Sequence, residues 1–521
     1  MLLMKNQTLE MPENTVDLQN IIQELYKEIE FLEAQNNLLR QALFAPKSEK
    51  RPLGESPQLP LFDLPENPPP SDDKEEEIVV IPAHTRKKRG RKKLPENLPR
   101  IDVVHDIPEE EKNCKCGCLL HCCGEEVTEK LDIIPAQIRV IRHIRLKYAC
   151  RNCEGLENDE AVKIAPLPAQ IIPKGLPTAG LLAHVITGKF CDALPFYRQE
   201  KQFIRLGIDI PRQSMCNWAM KAAESCQRII ELLLEDVRGG PLINVDETPV
   251  QVLSEPGRKA TQKSYMWVFR GGSADNPIVI YQYQPTRSGD VAKLFFDGYS
   301  GVVQTDGYKG YDFLDTWFDI LHVACWAHAR RKFMDIKKAG ANKKSDSADT
   351  ALDFIGQLYA LERKARDKGL SPDEIYEMRQ KHAKPILIKM KIWLDTCKDQ
   401  VPPKSLLGKA INYCLNQWAR LFNYIKDGHA GIDNNVAENA IRPFVLGRKN
   451  WLFSGTPEGA RASALLYSLI ETAKANKLEP YSYLRFLFEK LPTTAAEEIR
   501  NLLPTNLSPA DLLLDDLASG V

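Results

Sequence analysis

The chain has 521 residues, too many for one hydrophobic core, and this length implies roughly three to four domains. Hydrophobic residues make up 43% and charged residues 27%, the balance of a soluble globular protein, and no run is long enough to span a bilayer. Lys plus Arg equals Asp plus Glu at 70 each, which argues against a uniformly basic nucleic-acid binder, yet the charge is segregated into an acidic "SDDKEEE" (71–77) and a basic "RKKRGRKK" (86–93). The N-terminus lacks a long apolar h-region, so an intracellular protein is expected. Its thirteen cysteines are then thiols or metal ligands rather than disulfides.

Residues 16–45 carry a heptad. Leu18, Leu25, Leu32 and Leu39 recur every seventh residue, with Ile22, Ile29, Asn36 and Leu43 four residues after each. Leu at d, Ile at a and one Asn at a is the pattern of a parallel two-stranded coiled coil, which predicts at least a dimer. The plainer alternative is one amphipathic helix packed on the chain's own core. Residues 46–99 form a Pro-rich, charge-segregated linker, expected to be disordered or extended. Within it, Arg89, Arg91 and Lys92 are candidate DNA contacts, because Arg-Gly-Arg suits an A·T-rich minor groove; a solvated charge run is the alternative.

Residues 100–165 hold clustered cysteines. Cys150 and Cys153 form a clean C-x2-C, while Cys114, Cys116, Cys118, Cys122 and Cys123 compete upstream. Two short Cys loops on a small β scaffold suit one tetrahedral Zn2+, with Cys114, Cys116, Cys150 and Cys153 as the ligand set, the upstream pair being open. The intervening "EKLDIIPAQIRVIRHIRLKYAC" alternates like a strand pair. Residues 174–237 read as helices, with a turn at Gly207 and a second helix near Pro211. That region resembles a helix-turn-helix with Arg212 near the start of the second helix, although an ordinary helical hairpin has equal weight.

Between 241 and 340 the texture becomes β-rich. Strands are predicted at 242–246, 264–270, 277–283, 301–306 and 319–324, with a helix "SGDVAKLFFD" between the third and fourth. This is a mixed sheet with helical crossovers. Residues 345–426 are helical: "SPDE" (371–374) is a capping box, and Leu407, Ile411, Cys414, Trp418, Leu421 and Ile425 run along one face. A helix then starts at Asp433 or Asn434 and is expected to end at Pro443. Residues 430–480 complete the core and 481–521 form a C-terminal tail.

The chemistry is carried by acids. Asp246 and Asp306 each end a predicted strand, and Gly307 would let the backbone turn after the second. Two buried carboxylates side by side repel unless one protonates or a cation sits between them. Mg2+ or Mn2+ held by carboxylate oxygens answers this, and two such ions activate water or a 3′-hydroxyl for displacement on phosphate. Glu438 is the candidate third acid, with Arg442, Arg448 and Lys449 following as candidate phosphate contacts. The rival, Glu458, is expected to open the last helix instead. Glu247 should face away from Asp246 and has no assignment. Cys325 and His328 form a C-x2-H, with His322 nearby; one Cys and one His are too few for a closed zinc site, so they are expected to shape the site or contact DNA with Arg330, Arg331 and Lys332.

"VDETPVQVL", "QTDGYKGYD", "HVACWAHARRKF" and "NNVAENAIRPFVLGRKNWLFSGTPEGARASALLYSLIETAK" resemble the IS66-family transposases of bacterial insertion sequences. The resemblance covers nearly the whole chain. It implies an RNase H-like α/β catalytic core with a DDE triad at Asp246, Asp306 and Glu438. The helical stretch would then be an insertion between the second and third acids, a spacing of 438 − 306 = 132. It also implies insertion-end and target DNA as partners, possible accessory proteins of the same element, and a cytoplasmic, nucleoid-associated location. One departure is the "CKCGC" loop, which lacks a clear C-x2-C. The competing readings are a DNA-binding regulatory or architectural protein with an inert core, and a nuclease without end joining. Elemental analysis of the purified chain is expected to find tightly held zinc that is lost when Cys150 and Cys153 are both changed to serine; no such loss would overturn the cysteine assignment.

Overall fold

The computed structural model describes residues 29, 32, 138–149, 162–339 and 346–512. The rest of the heptad segment, the linker with Arg89, Arg91 and Lys92, and the expected zinc ligands Cys114, Cys116, Cys150 and Cys153 lie outside the described residues. The chain divides into two compact units, residues 48–165 and residues 1–47 with 166–521.

In the unit 48–165, β1 (Lys147–Ala149) pairs antiparallel with β2 (Val162–Ile164). The strand pair expected from the alternating stretch before Cys150 is not formed over 138–146, which has no regular structure. Val140 and Ile144 there are 88% and 73% exposed. A two-stranded ribbon needs an apolar layer to cover it, and no such layer lies among the described residues of this unit.

The other unit begins with four helices: α1 (Ala179–Phe190), α2 (Phe196–Arg205), α3 (Arg212–Ser225) and α4 (Gln227–Arg238). Thr178 caps α1 by accepting from the Leu181 N–H. Gly207 turns the chain between α2 and α3 with φ +78°, a conformation that favours glycine. Pro211 is the residue before α3 rather than its first. Phe203, Met215 and Trp218 bury the inner faces of the pair.

The sheet follows: β3 (Leu242–Gln251), β4 (Lys263–Gly272), β5 (Pro277–Gln284), α5 (Gly289–Phe296), β6 (Gly301–Thr305) and β7 (Ile320–Ala324). Its order is β5-β4-β3-β6-β7. β3, β4 and β5 form an antiparallel meander, while β6 and β7 run parallel to β3 after the α5 crossover. The first strand is longer than its apolar run. Its parallel ladder with β6 covers only Leu242 to Asn244, whereas its antiparallel ladder with β4 continues to Gln251.

Helices α6 (Trp326–Ala339), α7 (Asp346–Asp367), α8 (Pro372–Met378), α9 (Lys384–Gln400), α10 (Leu406–Asn416) and α11 (Trp418–Asn423) come next. Ser371 and Glu374 form the capping box expected of "SPDE". The stripe from Leu407 to Ile425 breaks at Gln417 into α10, α11 and a 3-10 turn, yet Ile411, Cys414, Leu421 and Ile425 are all buried. This helical layer forms a second hydrophobic core with Val302, Val323 and Ala324 of β6 and β7.

The last helices are α12 (Asn435–Trp451), α13 (Pro457–Ala475) and α14 (Pro480–Lys490). Pro443 does not end α12; the helix runs through it to Trp451. A proline removes one helical hydrogen bond, and packing compensates here. Phe444 is fully buried among Tyr281, Trp451 and Tyr467, and the Tyr281 hydroxyl donates to the Ala440 carbonyl. α13 also seals the sheet edge: Ser468 and Thr472 accept the Tyr281 and Val279 N–H groups of edge strand β5 at 2.7 and 3.0 Å. Among the described residues after 480, Tyr483, Leu487, Phe488 and Leu503 join the core that holds Tyr281 and Phe444.

Arg379, 2% exposed, sits in a π-helical segment (Arg379–Ala383) that links α8 to α9. It is bidentate to Glu362 at 2.9 and 2.7 Å and donates to the carbonyls of Tyr424, Asp427 and Ala430. Changing it to methionine strands a buried carboxylate and three carbonyls. The expected cost is about 3–5 kcal/mol, read as a lower urea midpoint; an unchanged midpoint would remove Arg379 from the stabilising framework.

Candidate active site

Asp246 stands where β3 parts from β6, and Asp306 is the first residue beyond β6. Asn244 pairs with Gln304, so continuing that register by two residues sets Asp246 opposite Asp306. Glu438 lies in the first turn of α12. The three carboxylates line one cleft of about 210 Å3 together with His328, Arg331, Asn434, Ile441 and Arg442. Asp246 is not at a strand end as the apolar run implies; it lies inside β3, two residues past the end of the parallel ladder.

The layer beneath is polar and buried. Asn244, Gln304 and Asn434 are 2%, 0% and 1% exposed. Asn244 Nδ2 donates to Gln304 Oε1 at 3.0 Å and Asn434 Oδ1 at 3.1 Å. Asn434 Nδ2 donates to the Val245 carbonyl, and Gln304 Nε2 to that of Gly431. Each acid follows one of these amides, by two residues on each strand and by four on the helix.

The electrostatics follow from this crowding. Burial, with Glu247, Asp306 and Glu438 nearby, pushes the Asp246 carboxyl up to about 7 against a hydrogen bond from the Glu247 N–H. Asp306 Oδ1 accepts the Tyr308 N–H at 2.9 Å. Glu438 Oε1 is buried with no hydrogen-bond partner, and Arg331 lies 3.7 Å from Oε2. A raised buried acid among carboxylates, with an orphaned carboxylate oxygen beside it, is the donor set a divalent cation satisfies.

Beside Asp306 lies a cluster that the sequence left unassigned. The Glu247 side chain is 1% exposed and accepts from Arg287 and from the Tyr311 hydroxyl. Burial raises its carboxyl, opposed by the Tyr311 bond and Arg287. Arg287 stacks on Tyr308 at 3.7 Å from the ring centroid and reaches within 3.9 Å of Asp306 Oδ2. The second acid of "VDET" was the available signal for Glu247; nothing in the local sequence marks Arg287 as its partner.

Gly307 forms the expected bend after Asp306 without a positive φ. Its missing Cβ also admits the Tyr413 ring, whose hydroxyl would lie 3.0 Å from a Cβ there. On the far side of the acids, His322 is buried, with Nε2 2.9 Å from Thr305 Oγ1 and Nδ1 2.8 Å from Asp315. Burial holds its imidazole below the usual range.

The expected DNA contacts are dispersed. Arg442 is exposed and lines the cleft, and Lys449 is exposed in the last turn of α12. Arg448 donates to Thr248 Oγ1 on β3 at 3.2 Å. Arg212 is exposed at the start of α3, its backbone N–H bonded to Glu200. Glu458 opens α13, is 68% exposed beside Arg461, and does not line the cleft.

The chain matches four family profiles. "Transposase IS66 family" covers residues 174–462, "zinc-finger binding domain of transposase IS66" 111–154, "Transposase C of IS166 homeodomain" 31–103 and "IS66 C-terminal element" 468–505. The uncharacterized protein y4jD of Sinorhizobium fredii is 34% identical over 428 residues, 79% of this chain and 81% of its own. The uncharacterized protein y4qI of the same organism is 33% identical over 438 residues, 81% of this chain and 78% of its own. No solved structure matches the chain.

An acid whose folded value is raised keeps its proton in the fold after losing it in the unfolded chain. Metal-free stability therefore falls as pH rises from about 4 to about 7. Asp246→Asn is expected to melt higher than the wild type at pH 8 without metal, with the gap closing toward pH 4. A gap that does not vary with pH would show that Asp246 ionises freely.

Proposed function

The chain belongs to the IS66 transposase family, and from that premise we propose that it cleaves insertion-sequence ends and joins them to target DNA through a DDE triad of Asp246, Asp306 and Glu438. One observation carries the proposal: acids from β3, from the end of β6 and from α12 line a single cleft. The sheet order supports an RNase H-like core, with α7 to α11 as a helical insertion between the second and third acids.

Mg2+ or Mn2+ bound by these acids would supply Lewis acidity at the scissile phosphate and lower the pKa of an attacking water or 3′-hydroxyl. The chain's own residues set the rest. Asp246, Asp306 and Glu438 offer oxygen ligands from three rigid elements, and Arg331 and Arg442 line the cleft where phosphate oxygens would need charge-assisted bonds. Glu247, Tyr308 and Tyr311 hold the Arg287 guanidinium at the Asp306 side. Arg89, Arg91, Lys92, Arg212, Arg448 and Lys449 would carry further DNA contacts. The zinc-finger match at 111–154 supports Zn2+ on Cys114, Cys116, Cys150 and Cys153. The heptad would pair two chains on DNA, with accessory products of the element as further partners and the bacterial nucleoid as the place of action. Among the described residues no helix is long and apolar enough to cross a membrane.

Purified protein with Mg2+ and labelled element ends is expected to give strand transfer. Asp246→Asn, Asp306→Asn and Glu438→Gln should each lower it by at least about 1,000-fold, with end binding retained. A fully active Glu438→Gln with a dead Glu458→Gln would reassign the third acid. Wild-type binding without cleavage would favour the regulatory reading.

A further inference from the structure

Cys325 and His328 begin α6 as a C-x2-H pair, and the fold supplies them with a third partner. One ligand atom each from Cys325, His328 and Glu438 lies within 4.8 Å of the other two. His328 Nδ1 and Glu438 Oε1 are 3.8 Å apart, too far for a hydrogen bond, and both are buried without any hydrogen-bond partner. Two orphaned ligand atoms facing one another are costly unless something sits between them. The separation suits one ion: tetrahedral bonds of about 2.0–2.3 Å put neighbouring ligands about 3.3–3.8 Å apart.

We propose that Cys325, His328 and Glu438 form a three-ligand site for a borderline-soft divalent cation of the zinc class, sharing Glu438 with the acid cluster. The donor set is sulfur, nitrogen and oxygen. Mg2+ wants oxygen alone, whereas Zn2+ and Co2+ take thiolate and imidazole. Three protein ligands leave a fourth position open. On loading, the Cys325 S–H bond breaks, its proton goes to solvent, and the thiolate electron pair bonds the ion. Burial pushes the Cys325 thiol up to about 11, so the ion itself must drive the deprotonation; the Asn434 N–H, 3.1 Å from Sγ, and the Ala327 and His328 backbone N–H groups donate to the sulfur and offset part of that rise. Since Glu438 cannot serve both ions fully, zinc withdraws one acid from the triad, and the chain becomes a zinc-inhibited transposase. This consequence rests on reading Glu438 as the third acid.

Cobalt(II) absorption tests the site without using activity. Full-length wild type, Cys325→Ser and His328→Asn are titrated with cobalt chloride; cobalt held by the Cys-rich segment is common to all three and cancels in the difference. Wild type is expected to bind one more equivalent than either variant, with a thiolate-to-cobalt charge-transfer band that Cys325→Ser lacks. Identical stoichiometry and spectra in wild type and His328→Asn would overturn the site, and His328→Asn serves if Cys325→Ser does not fold. In Mg2+ strand-transfer assays with zinc chloride added, half-inhibition of Cys325→Ser, relative to its own zinc-free rate, is expected at about 10-fold or more higher zinc. Equal zinc sensitivity would overturn the inhibitory role. A Glu438→Gln chain that loses the extra cobalt but keeps strand transfer would sink the triad reading and leave the site standing. A dead Glu438→Gln beside a Cys325→Ser chain with full cobalt binding would do the reverse.

Discussion

Three buried amides hold this structure together at its centre. Asn244 spends both side-chain N–H groups on Gln304 and Asn434, and those two reach on to the Gly431 and Val245 carbonyls. A buried amide left unpaired costs the full desolvation of each group, so the network is satisfied in one arrangement or not at all. That arrangement joins β3, β6 and the start of α12, segments up to 190 residues apart in the chain. The carboxylates above inherit its order: Asp246 and Asp306 share a strand face with their amides, and Glu438 rises one helical turn above Asn434.

The helices between α6 and α12 reinforce the same region from one side. Arg420 bonds both oxygens of Asp315 and also Asp312, and these bonds with His322 hold Asp315 down at about 2 despite partial burial. Asp315 and Thr305 in turn bracket the His322 ring next to Asp306. The Asn423 side chain caps the His322 carbonyl, and Trp326 donates to the Leu421 carbonyl at 3.0 Å. Arg379 gathers the carbonyls of Tyr424, Asp427 and Ala430, the stretch that leads to Asn434. The helical layer therefore frames the second and third acids through buried polar bonds. It packs against β6 and β7, forming a second core with Val302, Val323 and Ala324.

Much of this was legible along the chain. Apolar runs mark all five strands of the larger sheet, four of them to within two residues at each end, because a buried strand must alternate or run apolar; β3 continues five residues past its expected end at 246. Ser371 and Glu374 marked a helix start because the capping box is local. Asp246 and Asp306 stood out as acids directly after buried runs. The polar residues two places earlier, Asn244 in "LINVD" and Gln304 in "VVQTD", carry an equal signal. Pro443 misled because its helix penalty is local while the packing of Phe444 that outweighs it comes from distant segments. Gly307 stands at a bend after Asp306, as its place in the sequence implies, and its missing Cβ also admits a tyrosine from α10, 106 residues on (413 − 307).

By itself, the sequence determined the kinds of elements, their order, and the acids available for chemistry, because propensity, period and capping act within a few residues of each other. The tertiary structure alone decided which acids meet, that Glu247 pairs with Arg287 and Tyr311, and that Cys325 and His328 stand beside Glu438. Those outcomes depend on strand register and on buried hydrogen bonds between residues far apart in the chain, whose energies no local stretch contains.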